Sequence, residues 1–252
     1  MIKYRENKNI KICNLYLLKK LIVPVICVFL AGAFSKPAEA SAKNPDDVAK
    51  LQKFVNEQIE KCASLPANIE ESTLDVQYKW DKNGNLKEIN WYKCNFTGDI
   101  KLPSFSKLKY VVIRLSTGLK SIDAGRNLSL LQLNCRGCDD VKFYLSAALD
   151  KLSVKGCRNL EVLDTSWNNI KSIDLSGNKK LHFLDIFGNK KLKGIDIKCC
   201  PAIENLYLAG MNLTEIDVSK NTELKIFKFN RAKFTSIDLS KNKKLEYVTC
   251  RD

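Results

Sequence analysis

From Ile170 to Cys250, apolar residues recur at fixed places in steps of ten or eleven: IKSIDLSGN, LHFLDIFGN, LKGIDIKCC, IENLYLAGM, LTEIDVSKN, LKIFKFNRA, FTSIDLSKN and LEYVTCRD. Every segment varies on L-x-x-L-x-L-x-x-N, and the first places are Ile170, Leu181, Leu192, Ile203, Leu213, Leu224, Phe234 and Leu245. In such a segment the fourth and sixth residues share one face of a short strand, and the fifth points the other way. The first apolar residue turns the chain inward before that strand. Asn at the ninth place can hydrogen-bond backbone groups in a tight turn. No single unit can bury its apolar set, but stacked units share a continuous core. Two segments make one coil of 21 or 22 residues, as the steps from Ile170 to Leu192 and from Leu192 to Leu213 show.

Upstream, one phase of segments is expected to start at Leu86, Leu108, Leu128, Leu149 and Ile170. The other starts at Leu119, Cys138, Leu160 and Leu181, and the match is loosest between Leu119 and Leu149. Asn44-Pro45-Asp46-Asp47 reads as a helix start, with a cap, a first-turn proline and acids at the positive end. Val48, Leu51, Phe54, Val55, Ile59 and Cys62 follow at helical spacing to about Lys61, one stripe that would cover the open end of the first coil. Leu74 to Trp80 and Leu86 to Trp91 read as strands around the turn signal Asp81-Lys82-Asn83-Gly84.

The repeated pattern is that of leucine-rich repeats. Trp80 to Ile100 resembles the lead-in to the repeats of plant-type and many bacterial surface proteins, with Leu86, Ile89, Trp91, Cys94, Phe96, Gly98 and Ile100 in matching places. The coil is too short for a helix on its outer side, which resembles the bacterial 21-residue class of secreted and surface proteins. The resemblance runs from Trp80 to the C terminus. It implies a right-handed leucine-rich repeat solenoid with a parallel β-sheet on the concave side and strand or extended segments on the outer side. An N-terminal helical and hairpin cap would precede it. The expected division is a signal peptide over 1–40, a cap over 41–85 and leucine-rich repeats over 86–252.

Charge bears on the first of these. The chain carries a formal +14, but its first 40 residues hold seven Lys/Arg and two acids, so the remainder falls to +9. A basic lead is followed by the apolar run Leu21 to Phe34, short for a membrane span and interrupted by Pro24. Ala38-Glu39-Ala40 gives the small-x-small pattern of signal cleavage, so export and a mature start near Ser41 are expected. That places the chain as secreted, periplasmic or on the cell surface, with no stable membrane span after cleavage. Of the ten cysteines, eight lie beyond that segment. An even number suits an oxidising compartment, and Cys62 with Cys94 is the pair most readily joined. Cys94, Cys157 and Cys200 fall at ninth places, where leucine-rich repeats use Cys in place of Asn.

Little points to catalysis. The lone histidine, His182, has no nucleophile context, and no glycine-rich phosphate loop occurs. Cys135-Arg136-Gly137-Cys138 stands alone, without the second half of a zinc site. An enzyme is not expected, nor a cofactor, a metal or a nucleic-acid partner. Asp174, Asp196, Asp217 and Asp238 form a column at the fifth place, read as a solvated ladder relieved by lysines. The pairs Lys179-Lys180, Lys190-Lys191 and Lys243-Lys244 would stack into positive ridges.

The two phases differ in character. Segments from Ile170, Leu192, Leu213 and Phe234 are monotonous. The others vary at outward places and carry Val162, Trp167, Phe183, Phe187, Tyr207, Ile226, Lys228 and Tyr247. Exposed aromatic groups are typical interface anchors, so these residues are expected to form a concave recognition surface for a protein ligand. The bland alternative is that they stack on one another between coils. Two functions remain: protein–protein interaction, in a setting such as bacterium–host recognition, or an envelope component holding anionic glycan or lipopolysaccharide on lysine ridges.

Overall fold

The computed structural model describes residues 41–137 and 149–250, and the backbone of Lys3–Arg5 (β1) and Lys11–Ile12 (β2). The expected signal segment otherwise lies outside the described residues. Asn44 caps helix α1 (Pro45–Glu60), its side chain accepting from the N–H groups of Asp46 at 3.0 Å and Asp47 at 3.3 Å. Leu51, Phe54 and Val55 are buried, and Phe54 stacks on Trp91 at 5.2 Å. The carboxylate of Asp47 accepts from the Leu86 N–H at 2.9 Å, which ties the helix to the first coil. Cys62 departs from the expected stripe: with φ at 68° the chain has left the helix, and its side chain is exposed.

β3 (Val76–Trp80) and β4 (Leu86–Tyr92) pair antiparallel. Asp81 holds the turn between them, accepting from the N–H groups of Asn83 and Asn85, both at 2.9 Å. From β4 the ladder becomes parallel, through β6 (Tyr110–Arg114), β8 (Gln132–Asn134), β10 (Val162–Asp164), β12 (Phe183–Asp185), β13 (Asn205–Tyr207), β14 (Ile226–Lys228) and β16 (Tyr247–Thr249). A second sheet on the outer side joins β5 (Thr97–Lys101), β7 (Gly118–Asp123), β9 (Lys151–Ser153) and β11 (Ser172–Asp174). Further on, the half-buried Ile195 and Ile216 sit in chain outside any strand, and β15 (Ser236–Asp238) resumes the outer edge. β1 pairs with β15 and β2 with β16, both in parallel. The middle residues of the long-sheet strands, including Leu163, Leu184, Leu206 and Phe227, lie in register and are fully buried. The chain is thus a parallel β-solenoid of leucine-rich repeat type, its core a single stack.

One coil breaks the step. Tyr110 pairs with Gln132 and Val162 with Phe183, steps of 22 and 21, whereas Gln132 pairs with Val162, a step of 30. This corrects the upstream phasing. Leu86, Leu108 and Leu130 start long-sheet segments with Leu160 and Leu181, while Leu119 belongs with Leu149 and Ile170 on the outer side. Leu130 is fully buried, and Leu128, the expected start, is 57% exposed. The cause is arithmetic: an excess of nine residues nearly equals half a coil, so spacing alone reads it as one more segment and exchanges the faces. Cys138 lies outside the described residues, in the stretch 138–148 within that longer coil.

Candidate functional site: the outward face of the long sheet

Along each three-residue strand the middle side chain points into the core and its two neighbours point outward. Val162, Phe183, Asn205, Ile226 and Tyr247 therefore form one outward column, and Asp164, Asp185, Tyr207, Lys228 and Thr249 the next. Six of the expected recognition residues fall in these columns, all half-buried: Val162, Phe183, Tyr207, Ile226, Lys228 and Tyr247. The rings of Phe183 and Tyr207 lie 5.3 Å apart. The Lys228 ammonium sits 4.8 Å from the centre of Tyr207 and 5.6 Å from that of Tyr247, bridging both rings.

Trp167 and Phe187 sit beyond the strand ends, at the corner where the chain leaves the sheet. They meet edge-on at 4.6 Å, and the Trp167 backbone N–H donates to the Phe187 carbonyl at 2.7 Å. Gly188 (φ 76°) lies under the indole, where an added Cβ would come within 3.1 Å of the ring. The corner pair stacks between coils, and so do Phe183 with Tyr207 and Lys228 with Tyr207 and Tyr247; the six sheet residues also lie side by side on one outward face.

Sequence reasoning missed the acids in the middle of that surface. Asp164 and Asp185 lie directly in register. Burial pushes the Asp185 carboxyl up to about 7, and the Asp164 charge beside it works the same way; the hydrogen bond from the Phe187 N–H opposes them, followed by Arg136 and Lys228. Burial also holds the Lys228 ammonium below the ordinary lysine range, while Asp185 raises it. The signal that could have found them is LDTS and LDIF, which set Asp on the varied phase where neighbouring coils carry Tyr207 and Lys228.

Each of these Asp residues also has a backbone task. Asp164 accepts from the Ser166 N–H at 3.0 Å and Asp185 from the Phe187 N–H at 2.9 Å. On the outer side Asp174, Asp196, Asp217 and Asp238 take the N–H two residues on, at 2.8–3.0 Å. That column is a stack of Asx turns that bend each coil around its corner. The hydrogen bonds from Ser219 hold the Asp217 carboxyl well below the usual carboxylate range, and Lys198 adds to them from 3.0 Å.

A second stack closes the coils inside. Asn178 donates its amide to the carbonyls of Val154 and Cys157, and Asn221 to those of Ile197 and Cys200. Cys157 and Cys200 occupy the same column, each thiol facing a carbonyl of the coil before, Ala124 at 3.0 Å and Leu175 at 3.6 Å. All seven described cysteines are free thiols, so the expected Cys62–Cys94 bridge is not formed. Several turn lysines are tied to neighbouring coils: Lys180 to Asn159 and Lys244 to Glu223 across one coil, and Lys191 to Asp150 across two. Among the described residues no group of three or more His, Cys, Asp or Glu is placed to hold a metal ion. No helix among them is long and apolar enough to cross a membrane.

No protein-family model matches this chain, and no curated protein matches it. Solved structures similar to it include the functional domain of InlJ from Listeria monocytogenes, which includes a cysteine ladder (20% identity over 68% of this chain and 49% of that one, TM-score 0.42). Two others are an internalin, inlF, from Listeria monocytogenes (14%, 66% and 61%, 0.37) and a leucine-rich repeat protein of Leptospira interrogans (14%, 67% and 61%, 0.38). The chain thus spans 49–61% of the lengths of these three. At that degree of likeness no binding residue transfers, and the repeat assignment rests on the coils themselves.

Proposed function

We propose that this chain is an exported interaction module of a bacterial surface, in a setting such as bacterium–host recognition, which grips a protein ligand with the outward face of its long sheet. The observation that supports this reading is the continuous surface of Val162, Phe183, Tyr207, Ile226, Lys228 and Tyr247 over five successive strands. The parts of those rings that stacking leaves in water are covered only when a partner docks, and a rim of charge fixes the partner's register. The glycan-ridge reading has less behind it, because several of the turn lysines are occupied by partners one or two coils away.

The decisive experiment compares captures by variants of one mature protein. Wild type and a Lys220→Ala, Lys241→Ala control should retain the same protein ligand, which Phe183→Ala, Tyr207→Ala should lose. Ile226→Glu provides a second disruption of the same face, with circular dichroism confirming the fold of each. Truncating one anchor typically costs over ~2 kcal/mol, about thirtyfold in affinity. Ligand retained by both face variants and lost by the lysine control would place recognition elsewhere. For export, sequencing the secreted protein should find a start near Ser41, a cleavage that removes β1 and β2 from their pairing with β15 and β16; Met1 on the exported chain would overturn that part.

A further inference from the structure

A half-open groove of about 610 Å³ runs across the ends of β5, β7, β9 and β11, on the side away from the long sheet. Its lining holds Lys101, Arg126, Lys155 and Arg158, with Asp123 as the opposing acid. Asp123 is already engaged, its carboxylate accepting from the Gly125 N–H at 2.9 Å. Lys101, Arg126 and Arg158 form no ion pair among the described residues, and Lys155 reaches only Asp174, at 3.9 Å.

The groove exists because two columns change identity there. At the strand ends, where later coils carry Asp174, Asp196, Asp217 and Asp238, the earlier coils carry Lys101, Asp123 and Ser153 in register. Three residues past the strand end, Gly156 and Gly177 stand where later coils have Cys199, Lys220 and Lys241. The glycines are required by coil stacking: a Cβ on Gly156 would fall 1.2 Å from the Gly125 carbonyl oxygen, and one on Gly177 2.4 Å from that of Lys155. No side chain therefore fills the hollow. The result is a cationic channel along the solenoid axis, in which three successive coils, ~4.8 Å apart, bring Lys101, then Arg126, then Lys155 and Arg158, and the β11 coil adds only Ser176 and Gly177.

We propose that this groove binds an anionic polysaccharide, its sulfate or phosphate groups held by Lys101, Arg126, Lys155 and Arg158, with the hydroxyls of Ser104 and Ser153 donating to the same oxygens. No aromatic side chain lines the groove, so it has no platform on which nucleic-acid bases could stack. The site is independent of the long-sheet face and of the lysine pairs at the turns.

The test is calorimetric titration of the mature chain with a heparin hexasaccharide at ~0.15 M salt, where diffuse attraction is screened beyond ~8 Å. Arg126→Glu, Arg158→Glu should weaken binding by at least about tenfold, and Lys220→Glu, Lys241→Glu, an equal change of net charge, by less than about twofold. If the first variant loses its fold by circular dichroism, Arg126→Gln, Arg158→Gln replaces it with the same expectation. A phosphorylated oligosaccharide in place of the sulfated one distinguishes the two ester types, and binding of either supports the proposal. Equal losses in both charge variants, no binding by wild type at millimolar probe, or tighter binding of a single-stranded oligonucleotide would each overturn it.

Discussion

Each coil passes from the long sheet to the outer corner and back, and the two regions obey different rules. At the outer corner Asp174, Asp196, Asp217 and Asp238 recur because one carboxylate oxygen must meet the N–H two residues ahead. On the long sheet the outward residues Phe183, Asn205, Ile226 and Tyr247 share a column and have no common chemistry. Their backbone is satisfied by the neighbouring strands whatever the side chain, so sheet geometry places no demand on identity. Monotony marks a residue with a backbone task, and variety marks one released from it. Asp164 and Asp185 are the informative exception, since they brace a corner and also stand in the middle of the varied face.

The cost of a substitution should follow the backbone duty of the residue replaced. The largest effect should come from the core common to both regions: Leu206→Ala deletes a fully buried side chain and should cost ~2–5 kcal/mol in chemical unfolding. Ile216, only half-buried, should cost less than Leu206 when changed to Ala. Next come the ladder asparagines, which fall into two kinds. Asn189 uses both ends of its amide, donating to Thr165 and Ile186 and accepting from the Ile170 N–H at 3.0 Å. Asn178 donates in the same manner, but its oxygen has no partner among the described residues. Asn189→Cys should therefore cost ~1–3 kcal/mol by stranding a buried N–H, and Asn178→Cys distinctly less. Equal losses would mean that the ladder is held by shape alone. Cys157 and Cys200 stand in the column of Asn178, where a donor suffices.

A pH series sharpens the exception. The folded value of Asp185, about 7, lies above its ordinary 3.8, so between about pH 4 and 7 the native state binds more protons than the unfolded one. Stability should accordingly fall as pH rises through that window. Asp185→Asn keeps an acceptor for the Phe187 N–H and should flatten the slope, leaving the variant more stable than wild type near pH 8. An unchanged slope would show that Asp185 is solvated. Smaller again is Asp174→Ala, which should lower the melting temperature slightly by freeing the Ser176 N–H, with no effect on ligand capture. Lys243→Ala, at an exposed turn, should stay within about 0.5 kcal/mol of wild type.

Much of this architecture could be read from spacing. Leu181, Ile203 and Leu224 announce themselves because a stacked core repeats its demands every coil, and Asn44-Pro45 announces α1 because capping is local chemistry. The phase before Leu149 could not be read, since a nine-residue excess mimics half a coil and only strand register separates the two. The recognition set was legible where residues share a strand position, as Phe183 and Ile226 do. It failed to separate out Trp167 and Phe187, which meet edge-on where Trp167 takes a positive φ that no pattern of letters records. The groove at Gly156 was invisible for a similar reason: its chemistry is assembled from four strands that are 20 or more residues apart in sequence.

The buried cysteines give the solenoid a set of internal clocks. Burial pushes the thiols of Cys94 and Cys135 up to about 12 and that of Cys157 up to about 11, and it raises Cys200 as well. An alkylating reagent attacks only the thiolate, so each of these sulfurs reacts when its own coil opens and stays silent otherwise. Cys62, exposed beyond the end of α1, marks time zero. Labelling rates followed sulfur by sulfur would therefore show from which end, and in what order, the stack comes apart.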